Sequence, residues 1–230
     1  MIDKFVRSMA EAMAGIADGS TVLIAGFADV GQPNALIEGL VEQGARDLTI
    51  VMNSGGRGGT GLPKLLEAGR VRKLICSFVR SASVAGELVT AGKVELEVVP
   101  QGTLAERIRA AGAGVPAFYT PTGAGTKIAR GKEVREIGGR ECILEYALPG
   151  DVALVEAWRA DRWGNLEFRA AGRSYNPIMA AAGRLTIVQT QHVAELGEIE
   201  PEAVVTPGIF VHRVLHVPYG DPVMPAPAKS

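Results

Sequence analysis

The chain has 230 residues, 24 Lys and Arg against 25 Asp and Glu, and a net charge of -1, so no basic footprint argues for nucleic acid. Hydrophobic residues make up 47% and charged residues 21%, the balance of a soluble globular protein with a substantial core. No apolar run is long enough to span a membrane, and the start MIDKFVRSMAEAMAGIADG carries acids throughout, unlike a secretion signal; a cytoplasmic protein is expected.

In chain order, Phe5, Met9, Ala12, Met13 and Ile16 fall on one face of a predicted helix that Asp18-Gly19 ends. TVLIAG (21–26) is a short continuous apolar run, the mark of a strand buried on both faces. Pro33 opens a helix through NALIEGLVEQG. DLTIVMN (47–53) is the second strand, followed by a glycine loop and the short helix LPKLLEAG. KLICSFV (73–79) and VELEVV (94–99) are the third and fourth strands, with a helix near 82–91 between them and another over 103–111. Strand and helix alternate as in an α/β protein with a mainly parallel open sheet and helices on both faces.

Beyond Thr126 the pattern turns β-rich: CILEYAL, DVALVEA and NLEFRAA, then a helix near Pro177–Ala182 and strands LTIVQTQ and IFVHRVLHV. No repeat or linker divides the chain, so one domain over 1–221 is expected, with 222–230 a flexible tail.

Several motifs carry less chemistry than they first promise. GRGGTG (56–61) fits the dinucleotide fingerprint G-x-G-x-x-G, but it follows the second strand, and the next strand ends at Arg80 and Ser81 without a ribose-binding acid; a glycine-rich loop at the carboxyl edge of the sheet is the better reading. GAGVPA (112–117) fits a looser form, yet Pro116 lacks the N–H a phosphate cradle needs. Neither a P-loop nor a G-x-S-x-G elbow occurs. His212 and His216 would share one side of a strand, without a third metal ligand; no metal is expected. Cys76 and Cys142 lie in apolar runs and read as buried free thiols. Glu106, Glu145 and Glu156 read as helix-face or strand-edge acids, not nucleophiles. The stretch AAGAGVPAFYTPTGAGT (110–126) holds four glycines, two prolines and no charge, so something outside it should cover it.

Four segments together resemble the A subunit of the class I CoA-transferases of 3-oxoacids. They are DGSTVLIAGFADVGQP (18–33), VPQGTLAERIRAAGAGVPAFYTPTGAGT (99–126), VREIGGRECILEYALPGDVALVEAWRADRWGNLEFR (134–169) and TPGIFVHRV (206–214). The resemblance covers nearly the whole chain and implies a fold and a chemistry. It implies transfer of CoA from an acyl-CoA such as succinyl-CoA to a 3-oxoacid, through a glutamate that forms first a mixed anhydride and then a glutamyl thioester. The S-E-N-G motif that holds this glutamate is absent here, so the resemblance implies a partner, the B subunit, that carries it, in an assembly of two A and two B chains. It implies no permanently bound cofactor, with CoA as a substrate. It puts CoA at the loop Ala25, Gly26, Phe27, Ala28, Asp29, Val30 and Gly31, where Ala25 stands in place of a usual glycine. It puts Gln101 next to the reacting groups; Asn53, Gly112, Gly114 and Pro116 are expected against the substrate, as is Arg80 if the substrate is a dicarboxylate. The uncharged block would face the partner and the acyl-CoA.

DRWGNL, ARDLTI and VTPGIF resemble the 3-oxoadipate branch more than the acetoacetate branch. NSGGRGGTG and FVRSASVAGEL depart from both, and a dicarboxylate there would need a cation, with Arg57 and Arg80 available. Three alternatives remain. One is the corresponding chain of an acetoacetate-type transferase. Another is a sugar-phosphate isomerase of similar architecture with its own acid-base pair. The third is a regulator that binds a ligand on a related α/β fold and turns nothing over.

Overall fold

A computed structural model describes residues 2–56 and 61–218; Arg57, most of the GRGGTG loop and the expected tail at 222–230 lie outside the described residues. The main body is one open sheet. Strands β1 (Thr21–Ile24), β2 (Leu48–Val51), β3 (Val71–Cys76) and β4 (Glu95–Val98) run outward in one direction. The chain then returns to the other side of β1 with β8 (Gly150–Asp161), β10 (Gly183–Ala194) and β11 (Arg213–His216), giving the order β11-β10-β8-β1-β2-β3-β4. All these pairs are parallel; only β9 (Leu166–Glu167) pairs antiparallel, as a short addition to β8.

Parallel strands covered on both faces need apolar residues at successive positions, and β1 and its extension supply them. Val22 and Ile24 enter one core with α1 (Met9–Met13), α2 (Asn34–Gln43), α3 (Leu62–Glu67) and α4 (Val84–Thr90). Leu23 and Ala25 enter the other with α5 (Gln101–Gly112) and α6 (Asn176–Ala182). Cys76 and Cys142 are both buried free thiols, and burial pushes the Cys76 thiol up to about 11. Among the described residues no helix is long and apolar enough to cross a membrane.

The first helix is shorter than its apolar periodicity predicts. The Ser8 hydroxyl accepts the Glu11 N–H at 3.2 Å, while the Glu11 carboxylate accepts the Arg7 N–H at 2.9 Å. This near-reciprocal cap starts α1 at Met9 and leaves Phe5 to bridge Val214 instead.

A separate antiparallel sheet forms from β5 (Ala117–Thr120), β6 (Val134–Ile137) and β7 (Arg140–Tyr146) in the order β5-β7-β6. It is tied to the main body by charge. Glu145, on β7 and only 2% exposed, pairs with Lys132 and lies 3.9 Å from Arg107 of α5. Arg107 also reaches Glu97 of β4 at 2.9 Å, and Glu97 pairs with Lys73 of β3. Burial alone would raise the Glu97 pKa; hydrogen bonds from Lys73 and Arg107 outweigh it and hold the group below the usual range.

The two halves of the main sheet part at β1 and β8, and Asn176 spans the gap. Its side-chain oxygen accepts the Glu156 N–H at 2.8 Å, and its amide nitrogen donates to Gly31 O at 2.9 Å and Gly172 O at 2.8 Å. It is fully buried. A Cβ on Gly31, at φ 66°, would lie 2.4 Å from Gly172 O, so only glycine lets these backbones close on Asn176. Asn176→Ala leaves three backbone groups without this partner, two of them buried and each worth about 1–3 kcal/mol. It is expected to lower unfolding free energy by about 3 kcal/mol or more in denaturant titration. Asn176→Asp is expected to be worse at neutral pH, because a carboxylate oxygen would face two carbonyl oxygens.

Candidate functional site

Parallel strands deliver their carboxyl ends to one edge, and a crevice opens there where the strand order reverses. A cavity of about 450 Å³ lies at that edge. The loop after β1 gives it Phe27 and Ala28; the loop after β2 gives Asn53, Ser54, Gly55 and Gly56. The loop after β3 gives Ser77, Phe78 and Arg80, and the first residue of α5 gives Gln101.

The loops are fixed to one another by their backbones. Gly55 N–H donates to Phe78 O at 2.8 Å and Ser77 N–H to Asn53 O at 3.0 Å. Phe27 and Val30 exchange backbone bonds of 2.9 and 3.1 Å across a turn that holds Ala28 at φ 52°. Behind the cavity stands Tyr175, buried at the start of α6. Its hydroxyl donates to Gln101 O at 3.3 Å. Burial pushes the phenol above its ordinary value, against side-chain hydrogen bonds from Asn53 and Gln101. One hydroxyl thus braces the start of α5, at the backbone of Gln101.

The electrostatics follow from the residue types. Gln101 follows the N-cap Pro100 and opens a 12-residue helix, whose first-turn N–H groups lack helical acceptors and concentrate positive potential there. Among the described residues the lining holds one formal charge, Arg80, and no carboxylate, histidine, lysine or cysteine. Such a site can hold an anionic or polarised carbonyl group; it offers no strong nucleophile and no general base.

The structure brings Phe27, Ala28, Asn53, Arg80 and Gln101 together in this cavity. Asp29, Val30 and Gly31 turn to a neighbouring cavity of about 560 Å³, which Glu156, Trp158 and Arg169 also line. Gly26 is buried between the core and this loop. Ala25 is fully buried, its side chain belongs to the core, and its N–H donates to Leu154 O at 3.0 Å.

Gly112, Gly114 and Pro116 lie apart from this cavity within this chain. They stand at or just beyond the last residue of α5, about 16 Å along the helix from Gln101. Gly112 makes room for α6, since a Cβ there would lie 2.9 Å from the Ala181 Cβ. Gly114, at φ 71°, belongs to the turn that follows the helix, and Pro116 O accepts the Ala147 N–H at 2.9 Å.

Other expectations divide. His212 precedes β11, and its Nδ1 accepts the Thr186 N–H at 3.0 Å; His216 meets Gln191 O instead. No group of three or more metal-ligating side chains occurs among the described residues. Glu106 is a helix-face acid paired with Arg109, but Glu145 and Glu156 are buried on strands. Sequence reasoning missed Tyr175 entirely. The one available signal was an aromatic hydroxyl just before Asn176-Pro177, where a helix begins.

Comparison with known proteins agrees with this architecture. Residues 6–216 match the coenzyme A transferase family. The A subunit of the 3-oxoadipate CoA-transferase of Pseudomonas putida is 55% identical over 94% of this chain and 95% of its own length. The A subunit of the probable succinyl-CoA:3-ketoacid coenzyme A transferase of Mycobacterium bovis is 46% identical, over 94% and 95%. Glutaconate coenzyme A-transferase from Acidaminococcus fermentans shares the fold, with a TM-score of 0.82 at 21% identity, over 94% of this chain and 76% of its own. The resemblance of the four sequence segments and the strand order of the sheet therefore have one explanation: this chain belongs to the coenzyme A transferase family.

Proposed function

We propose that this chain is the A subunit of a 3-oxoacid CoA-transferase that moves CoA from succinyl-CoA to 3-oxoadipate. Residues 1–221 act as one domain, in the cytoplasm, in an assembly of two A and two B subunits. The observation that carries the reading is the cavity lining: a site at the carboxyl edge of β1, β2 and β3 that holds donors and one cation but, among the described residues, no carboxylate. The missing carboxylate is the B subunit's glutamate. That both relatives above are named as an A subunit supports a partner. An isomerase would need an acid-base pair in the same lining, which the described residues do not provide.

The chemistry then balances without water or a permanently bound cofactor. The glutamate carboxylate attacks the donor thioester carbonyl; the C–S bond breaks, CoA leaves as thiolate, and a mixed anhydride remains. The thiolate attacks the glutamyl carbonyl, releasing the donor acid as a carboxylate and leaving a glutamyl thioester. The acceptor carboxylate reverses both steps and departs as its CoA thioester. Each step places negative charge on a carbonyl oxygen for a moment. In this chain the Gln101 and Asn53 amides line that space beside the first turn of α5 and offer it donors. The uncharged block around Phe118 and Tyr119 sits at the other end of α5, where the partner would cover residues 113–116, which are exposed in this chain.

Two outcomes test the assignment. The chain purified alone is expected to exchange no CoA between succinyl-CoA and 3-oxoadipate, with activity appearing on addition of the partner; comparable exchange by the single chain would end the division of roles. In the assembled enzyme, Gln101→Ala is expected to lower kcat by roughly 10²-fold. Tyr175→Phe, which leaves the ring in place and removes only the brace, is expected to lower kcat about tenfold with little change in KM. A thermal melt should show a loss of no more than about 1.5 kcal/mol for the latter. Unchanged turnover in both variants would move this amide pair out of the reaction.

A further inference from the structure

We propose that Arg80 anchors the far carboxylate of the acyl group, and that this one cation serves both halves of the transfer. The inference rests on the functional reading above and adds a specificity-determining residue to it. Arg80 is the one charged side chain among the described residues that line the cavity of about 450 Å³ beside Gln101. Its guanidinium makes no ion pair or hydrogen bond among the described residues, whereas Arg107, Arg109, Arg135 and Arg159 are each held by a carboxylate.

The side chain is free, but the backbone that carries it is fixed. The Ser83 hydroxyl donates to Arg80 O at 2.6 Å and accepts the Gly86 N–H at 3.2 Å, which ties the loop to the cap of α4. A Cβ on Gly86 would lie 2.3 Å from Arg80 O, so helix and loop are in close backbone contact. On the other side Phe78 bridges Ser54, joining the arginine loop to the Asn53 loop. A cation placed this way costs no ion pair when it takes a ligand, and its planar fork matches a carboxylate.

The chemistry of the two acids supplies the ligand. When one carboxyl of succinate is the thioester, the other remains ionised. When one carboxyl of 3-oxoadipate is the thioester, the other also remains ionised. The two acyl groups differ by two carbons, a gap that the rotatable arginine stem accommodates. Donor and acceptor occupy the site in turn, never together, so one cation suffices. A monocarboxylic acyl group has nothing to offer it.

The test uses the assembled two-chain enzyme and the variants Arg80→Gln and Arg80→Lys, with kcat/KM measured separately for succinyl-CoA and 3-oxoadipate. Arg80→Gln is expected to lower both by about 10- to 100-fold, mainly through KM. Arg80→Lys is expected to recover part of both, because charge survives and the bidentate fork does not. Inhibition by succinate should weaken by a similar factor in Arg80→Gln, and inhibition by butyrate, of equal length without the second carboxylate, should not change. A loss confined to one substrate, an equal loss of butyrate binding, or unchanged kinetics in both variants would overturn the proposal. A wild-type assembly that moves no CoA between these acids would instead bring down the functional reading itself.

Discussion

A chain of buried side-chain amides and one carboxylate crosses the point where the sheet divides, and the geometry of the crevice depends on it. Asn176 uses its acceptor and both of its donors on three different backbone segments. Beside it, Glu156 accepts from the side chains of Gln189 at 3.2 Å and Gln191 at 3.1 Å. The Gln189 oxygen in turn accepts the N–H groups of Ala35 at 3.0 Å and Leu36 at 3.3 Å. These belong to the first turn of α2, which has no side-chain cap of its own because Pro33 precedes it. Where two parallel strands send their chains to opposite sides, backbone groups are exposed that no ladder can pair. Water satisfies them in an open loop; here side chains do, and in a low-dielectric interior each such bond is worth keeping. The loop Gly26–Gly31 is therefore a fixed wall between two cavities.

A fixed wall suits the proposed chemistry for a reason beyond orientation. A mixed anhydride and an acyl thioester both hydrolyse, so the site must be dry when they form. A lining with a single charge, Arg80, loses less on being covered than a lining of several acids and bases, each of which would have to be desolvated at a cost. Phe27 and Phe78 are each more than two-fifths exposed around the mouth of the cavity that Gln101 lines. Apolar rims of this kind gain from closure. On the proposed reading, the chain without the nucleophile can thus be built for closure, and the costly buried carboxylate is left to the other chain.

Much of this was legible in the sequence, and the misses have physical causes. The first two outward strands were plain because burial on both faces demands continuous apolar runs, and TVLI and LTIV read that way; VRKLIC keeps such a run only at its end, and ELEV, at the sheet edge, alternates instead. IFVHRVLHV was harder: only Arg213–His216 pairs, because residues 208–210 turn in a 3₁₀ helix before the strand. NLEFRAA keeps just Leu166 and Glu167 in a strand, since β8 offers an antiparallel edge for two residues only. The strand AFYT was hidden inside the glycine-rich block, and it pairs with β7, 23 or more positions along the chain, which no local pattern reveals. The cavity itself was half legible. Loops at the carboxyl ends of strands follow from topology, so Phe27, Asn53, Arg80 and Gln101 were within reach. Tyr175 was not, because its role comes from α6 packing under α5, a contact between segments some 70 residues apart.

The same packing decides what the alanine at position 25 means. Read along the sequence, an extra methyl in a ligand loop narrows the space for the ligand. In the fold, the strand direction puts that methyl on the side opposite Ile24, in the core shared with Tyr175, Met179 and Ala180 of the α6 region. Its N–H continues the pairing of β1 with β8 by one bond beyond Ile24. A residue here touches the layer that supports Tyr175 before it touches anything in the cavity. Side-chain bulk at position 25 therefore bears on the Tyr175 brace at the start of α5, and only through it on the cavity that Gln101 lines.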